Sequence, residues 1–96
     1  MLVLITYDVN TETKEGRRRL RRVALACRCF GQRVQKSVFE CLVGPTQFVE
    51  LRHKLLAEMD RDKDSVRIYP LDETTRVKIE HYGIGEPLDF EEPLVV

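Results

Sequence analysis

Four consecutive apolar residues, Leu2-Val3-Leu4-Ile5, open the chain before the pattern breaks at Thr6-Tyr7-Asp8. A run without polar interruption wants burial on both faces, which predicts a central β-strand. It is too short to cross a bilayer and no small-residue cleavage site follows it, so neither a membrane anchor nor a signal peptide is expected. After a polar link, Leu20, Val23, Ala24 and Cys27 recur at i, i+3, i+4 and i+7, the stripe of an amphipathic helix over about residues 16–29. Gly31 suits a left-handed cap at its end. Residues 32–35 and 38–43 read as two short strands, the second rich in apolar and β-branched side chains. Pro45 is pre-set for the first turn of a second helix, about residues 46–59, with Phe48, Leu51, Leu55 and Met59 on one face. Residues 65–71 alternate as a half-buried strand in which Pro70 marks an edge or an end. Residues 76–81 alternate again and predict a fifth, marginal strand. Gly83, Gly85, Pro87 and Pro93 then leave an extended tail, which still carries Leu88, Phe90, Leu94, Val95 and Val96.

The order strand, helix, strand, strand, helix, strand matches the ferredoxin-like βαββαβ sandwich, an α+β fold with an antiparallel sheet and both helices on one face. An extra C-terminal strand follows. This divides the chain into a domain over residues 1–82 and a tail over 83–96. The second sheet face would be bare in a monomer, although the first strand needs it covered. Symmetric pairing of two copies through that face is the simplest solution, so a homodimer is expected. The extra strand and tail would add to the partner's sheet edge.

Composition changes this picture through charge. The 96 residues make one small domain, whose large surface share favours oligomerisation. Sixteen basic and sixteen acidic residues cancel, but the signs are segregated. Between residues 16 and 39 stand Arg17, Arg18, Arg19, Arg21, Arg22, Arg28, Arg33 and Lys36, with no Asp or Glu; the tail carries Glu86, Asp89, Glu91 and Glu92. Such asymmetry predicts a basic face for an anionic partner. Lys14 and Arg17 to Arg19 near the helix start also oppose its dipole, at a cost of a few tenths of a kcal/mol or more. The three cysteines, Cys27, Cys29 and Cys41, form no CxxC and have no histidine nearby, which argues against disulfides and structural zinc. Free thiols in a reducing cytoplasm are the expectation. His53, off the apolar stripe and without a second ligand at metal spacing, reads as a surface histidine.

The candidate chemistry sits at Asp8. A carboxylate at the end of a rigid central strand suits metal or proton chemistry; alternatively Asp8 and Asn10 make an Asx turn into the helix. Three functions remain open. In a metal-dependent nuclease, two copies of Asp8 in a dimer would hold Mg²⁺, which binds through one or two carboxylates, and the arginines would hold the phosphate backbone. A nucleic-acid-binding subunit would use the same basic face without chemistry. A ligand-binding regulatory module of the same fold is the third. The chain has no Gly-rich phosphate loop, Ser-His-Asp set or Cys-His pair, which argues against nucleophilic catalysis and nucleotide hydrolysis. Base stacking by an RNA-recognition module is weakly served, since the central strands offer mainly Tyr7 and Phe39.

Tyr7-Asp8-Val9 ending the first strand, the Arg-rich first helix and Gln35-Lys36-Ser37-Val38-Phe39-Glu40 together resemble the small CRISPR-associated endonucleases of the Cas-two family. Ile68-Tyr69-Pro70-Leu71 is similar to that family's fourth strand. The resemblance extends from Met1 to about Tyr82. It implies a cytoplasmic ferredoxin-like homodimer, Mg²⁺-dependent cleavage of RNA or double-stranded DNA, and a bridging role beside an integrase subunit in spacer acquisition. It further implies that Asp8 is the metal-binding, catalytic aspartate. Arg22, Arg33 and Phe39 match positions near the family's cleft, with Tyr7 beside them. Arg17, Arg18 and Arg19 are expected on the nucleic acid, in a run whose register allows a one-residue slip.

Overall fold

Strand β1, Leu2–Asp8, is the centre of the computed structural model, which describes residues 1–84. Around it lie α1 (Lys14–Arg28), β2 (Gly31–Gln35), β3 (Val38–Leu42), α2 (Pro45–Glu58) and β4 (Ser65–Leu71). The sheet runs β2-β3-β1-β4, each neighbouring pair antiparallel. This is the expected ferredoxin-like α+β arrangement. The side-chain period of two along β1 sorts the residues. Val3, Ile5 and Tyr7 enter the core with Phe39 of β3, Val23 of α1 and Leu51 of α2. Leu2, Leu4, Thr6 and Asp8 take the other face.

Local chemistry sets the helix starts. The Thr13 hydroxyl caps α1 by accepting the Gly16 N–H at 3.0 Å, which brings the helix start forward to Lys14. Glu15 in the first turn offsets part of the positive charge there. In α2, Pro45 occupies the first turn and Gln47 Oε1 accepts the Gly44 N–H at 3.0 Å. Pro70 lies in β4, an edge strand, where its missing N–H deprives no outer neighbour.

Two expectations fail. Gly31 is no left-handed cap, because among the described residues only Gly83 is a glycine with positive φ, 98°. Gly31 opens β2, where a Cβ would collide with the Glu40 carbonyl and, at 2.5 Å, with Cys41 Sγ. The fifth strand over residues 76–81 is also absent from the described residues, and a 3-10 helix spans Glu73–Lys78. Alternation alone does not draw the segment onto the outer edges that β2 and β4 offer. Within one chain, residues 72–78 take local bonds, such as Thr75 N–H to the Asp72 carbonyl at 2.9 Å. This 3-10 helix lies against β1, and Leu2, on the face away from α1 and α2, is buried. The chain thus covers part of the face expected to be bare. The apolar tail with Leu88, Phe90 and residues 94–96 lies outside the described residues.

Candidate functional site

Asp8 closes β1 opposite Ser65, the first residue of β4. Pairing to the last residue stiffens the strand up to an exposed carboxylate. The carboxylate borders an open groove of about 510 Å³ lined also by Asn10, Glu12, Asp62, Lys63 and Ser65. An Asx turn does follow the strand, but Asn10 makes it, its Oδ1 accepting the Glu12 N–H at 2.9 Å. The turn therefore needs nothing from the Asp8 side chain. Among the described residues no three His, Cys, Asp or Glu side chains gather into a metal-ligand set. The groove's carboxylates, Asp8 with Glu12 and Asp62, are oxygen donors of the kind that fits Mg²⁺, which keeps several waters, and does not fit tetrahedral zinc.

Tyr7 and Phe39 do not line a cleft. Alternation turns them to the helix-covered face, where Tyr7 is 6% and Phe39 0% exposed. Their rings stack with centroids 6.2 Å apart. Burial raises the Tyr7 phenol above its usual value, with the neighbouring Arg33 pulling the other way. Arg33 itself is exposed and lays its guanidinium over Phe39, 5.2 Å from the ring centroid. Arg33, Phe39 and Tyr7 thus form one stack on the opposite face of the sheet from Asp8.

The arginines of α1 divide. Arg17, Arg18, Arg21, Arg22 and Arg28 are exposed. Arg17 Nη1 donates to the Thr11 carbonyl at 3.2 Å, and Arg22 Nη1 stands 3.7 Å from Glu58 Oε2. Arg19 differs, because its Nε donates to Asp64 Oδ2 at 2.8 Å and its Nη2 to Oδ1 at 3.3 Å. Its guanidinium is engaged within the fold, with the side chain 17% exposed. Burial opposes ionisation of Asp64, but hydrogen bonds from Arg19 and from the Asp60 and Asn10 N–H groups outweigh it and hold its carboxyl below the usual value. Asp64 is not legible as a site residue, since the stretch 60–64 reads only as a mixed-charge connector. The acidic partners of Arg19 and Arg22 come from elements far along the chain.

The thiols of Cys27 and Cys41 are buried, and desolvation pushes both up to about 12, so they are unreactive core groups. Cys29 and His53 are exposed. Among the described residues no helix is long and apolar enough to cross a membrane.

Comparison with known proteins agrees with the β1 and β3 motifs. A family model described as CRISPR associated protein Cas2 matches residues 1–79. The CRISPR-associated endoribonuclease Cas2 of Chlorobaculum tepidum is 58% identical over 96 residues, covering all of both chains. The CRISPR-associated endonuclease Cas2 of Halalkalibacterium halodurans is 52% identical over 99% of both. Among solved structures, Streptococcus pyogenes Cas2 superimposes with a TM-score of 0.77 at 52% identity, over 86% of this chain and all of that one. A match over most of the chain, joined to this sheet order and to Asp8 at the end of its central strand, makes this chain a member of the CRISPR-associated Cas2 family.

Proposed function

We propose that this chain is a metal-dependent endonuclease of CRISPR spacer acquisition, cleaving RNA or double-stranded DNA in the cytoplasm as a homodimer. The observation that carries the reading is the exposed Asp8 carboxylate, held at the end of a paired central strand beside an open groove. Relatives bearing the names endoribonuclease and endonuclease support it. Asp8 and its counterpart in the second copy would hold Mg²⁺, which supplies Lewis-acid polarisation of the phosphodiester and lowers the pKa of water. Arg18, Arg21, Arg22 and Arg28, exposed along α1, would grip phosphates and set the strand's position. The second copy finds support in exposed apolar side chains after β4, Val77, Ile79, Tyr82 and Ile84, of which Ile79 borders Leu4 and Val38 on the incompletely covered sheet face.

A second reading has its own observation. One chain gathers no set of three or more such ligands among the described residues, whereas a basic helix alone suffices to lie along a duplex. The protein would then be a non-catalytic DNA-binding bridge beside an integrase subunit. Purified wild-type and Asp8→Asn proteins, assayed on RNA and duplex DNA with Mg²⁺ and with chelator, separate the two. The nuclease reading expects Mg²⁺-dependent cleavage that Asp8→Asn abolishes while binding persists. Wild-type cleavage by Asp8→Asn would remove Asp8 from the mechanism. Duplex binding without cleavage by either protein would favour the bridge.

A further inference from the structure

Asp64 is the acceptor on which three separate segments converge. Its side chain is wholly buried, and each carboxylate oxygen accepts twice. Oδ1 takes the Asn10 N–H at 3.0 Å and Arg19 Nη2 at 3.3 Å; Oδ2 takes the Asp60 N–H at 2.9 Å and Arg19 Nε at 2.8 Å. A buried carboxylate without a cation would be strongly destabilising, and Arg19 supplies that cation in the planar, two-donor geometry that lysine lacks. Asn10 lies two residues beyond Asp8, and Ser65, next to Asp64, is the residue paired with Asp8. The turn that follows Asp8 and the β4 residue across from it are therefore both tied to one carboxylate. Gly16 tightens the brace, since its missing side chain lets α1 approach the Asn10 carbonyl.

We infer that Asp64 is a positioning residue for Asp8, with Arg19 as its fixed counter-charge instead of a phosphate contact. This rests on the reading of Asp8 as the metal-binding carboxylate. A carboxylate used to organise a reaction must be held to a fraction of an ångström, and a loosened anchor loses rate before it loses nucleic-acid affinity. In Asp64→Asn one oxygen becomes an NH₂ group facing N–H donors, so one pair of bonds is lost while volume is kept.

The test uses full-length protein, with backbone amide exchange by NMR, duplex binding by titration, and Mg²⁺-dependent cleavage. Asp64→Asn should speed exchange of the Asn10 or the Asp60 amide, whichever faces the new NH₂ group, about tenfold or more while leaving the β1–β3 amides protected. It should lower kcat about tenfold or more with KM and duplex affinity near wild type. Arg19→Lys, which keeps the charge, should move the same readouts in the same direction and serves if Asp64→Asn does not fold. Unchanged exchange of both the Asn10 and the Asp60 amides in the variants, or loosened amides with wild-type kcat, overturns the positioning role alone. A weaker duplex affinity with a flatter salt slope in Arg19→Lys overturns it by making Arg19 a phosphate contact. Wild-type cleavage by Asp8→Asn instead sinks the underlying reading, and the positioning role falls with it.

Discussion

The guanidinium of Arg33 covers the ring of Phe39, 5.2 Å from its centroid, at the point where a wholly buried aromatic side chain reaches the rim of the core. The pair joins an exposed charge to the centre of the fold, and its two members contribute very differently. Phe39→Ala should cost about 3–5 kcal/mol, because it removes a large core side chain and leaves a cavity beside Tyr7. Arg33→Ala should cost about 0.5–1 kcal/mol, the range of an exposed cation–π contact. Urea unfolding at fixed protein concentration measures both. Equal losses would mean that Arg33 holds more of the core than the geometry indicates.

Gly16→Ala should lower stability, against the ordinary trend for a helix. Replacing a helical glycine by alanine normally gains up to about 1 kcal/mol. At Gly16 the new Cβ would run into the Asn10 carbonyl. Either α1 or the turn after Asp8 must move, with a penalty of roughly 1–3 kcal/mol. A melting temperature above wild type would show that the turn yields easily.

Two carboxyls give opposite pH dependences. Asp64 is held below its ordinary value of 3.8, where the Arg19 and backbone hydrogen bonds outweigh the burial that opposes them. The folded state therefore releases this proton more readily, so the contribution is present above the unfolded value and is lost as pH falls through the folded one. Burial raises Glu40 above its ordinary 4.5. Its ionised form costs stability, and acidification toward that raised value relieves the cost. Melting temperature should rise slightly as pH falls from neutral, then drop below about pH 4. Glu40→Gln should remove the rise, and the gap between wild type and Asp64→Asn should narrow in acid.

Arg18 and Arg22 should meet phosphate. Both are exposed on α1, and the Glu58 carboxylate near Arg22 is 3.7 Å away across a solvent-exposed pair that contributes little to stability. Alanine at either position should weaken duplex binding about equally for all sequences and reduce the slope of log affinity against log salt by about one each. Unchanged affinity and slope in the folded double variant would move the nucleic-acid surface elsewhere.

Sedimentation of the wild-type chain at micromolar concentration should give twice the chain mass. Val77, 79% exposed, Ile79 and Tyr82 leave apolar surface after β4, with Ile79 bordering the sheet face that a second copy would cover. Val77→Glu combined with Ile79→Glu should shift the equilibrium toward monomer, since it places charge in that contact. A wild-type monomer would count against a site shared between two copies of Asp8.

The order of elements, the apolar stripes of α1 and α2, the central place of β1 and the position of Asp8 at its end were all decided by local pattern, because strand and helix periods are written in neighbouring residues. The Tyr7-Asp8-Val9 and Ser37-Val38-Phe39 segments likewise carried the family in a few adjacent positions. Only the tertiary structure decided which charges meet. Arg19 and Asp64 are 45 residues apart, and no periodicity reports that the turn before β4 folds against the first turns of α1. The same holds for Tyr7 and Phe39, whose place in the core followed from the face that β1 and β3 turn toward the helices. Residues 73–78 took local 3-10 bonds although β2 and β4 offer outer edges, so alternation alone does not decide whether a short segment joins a sheet.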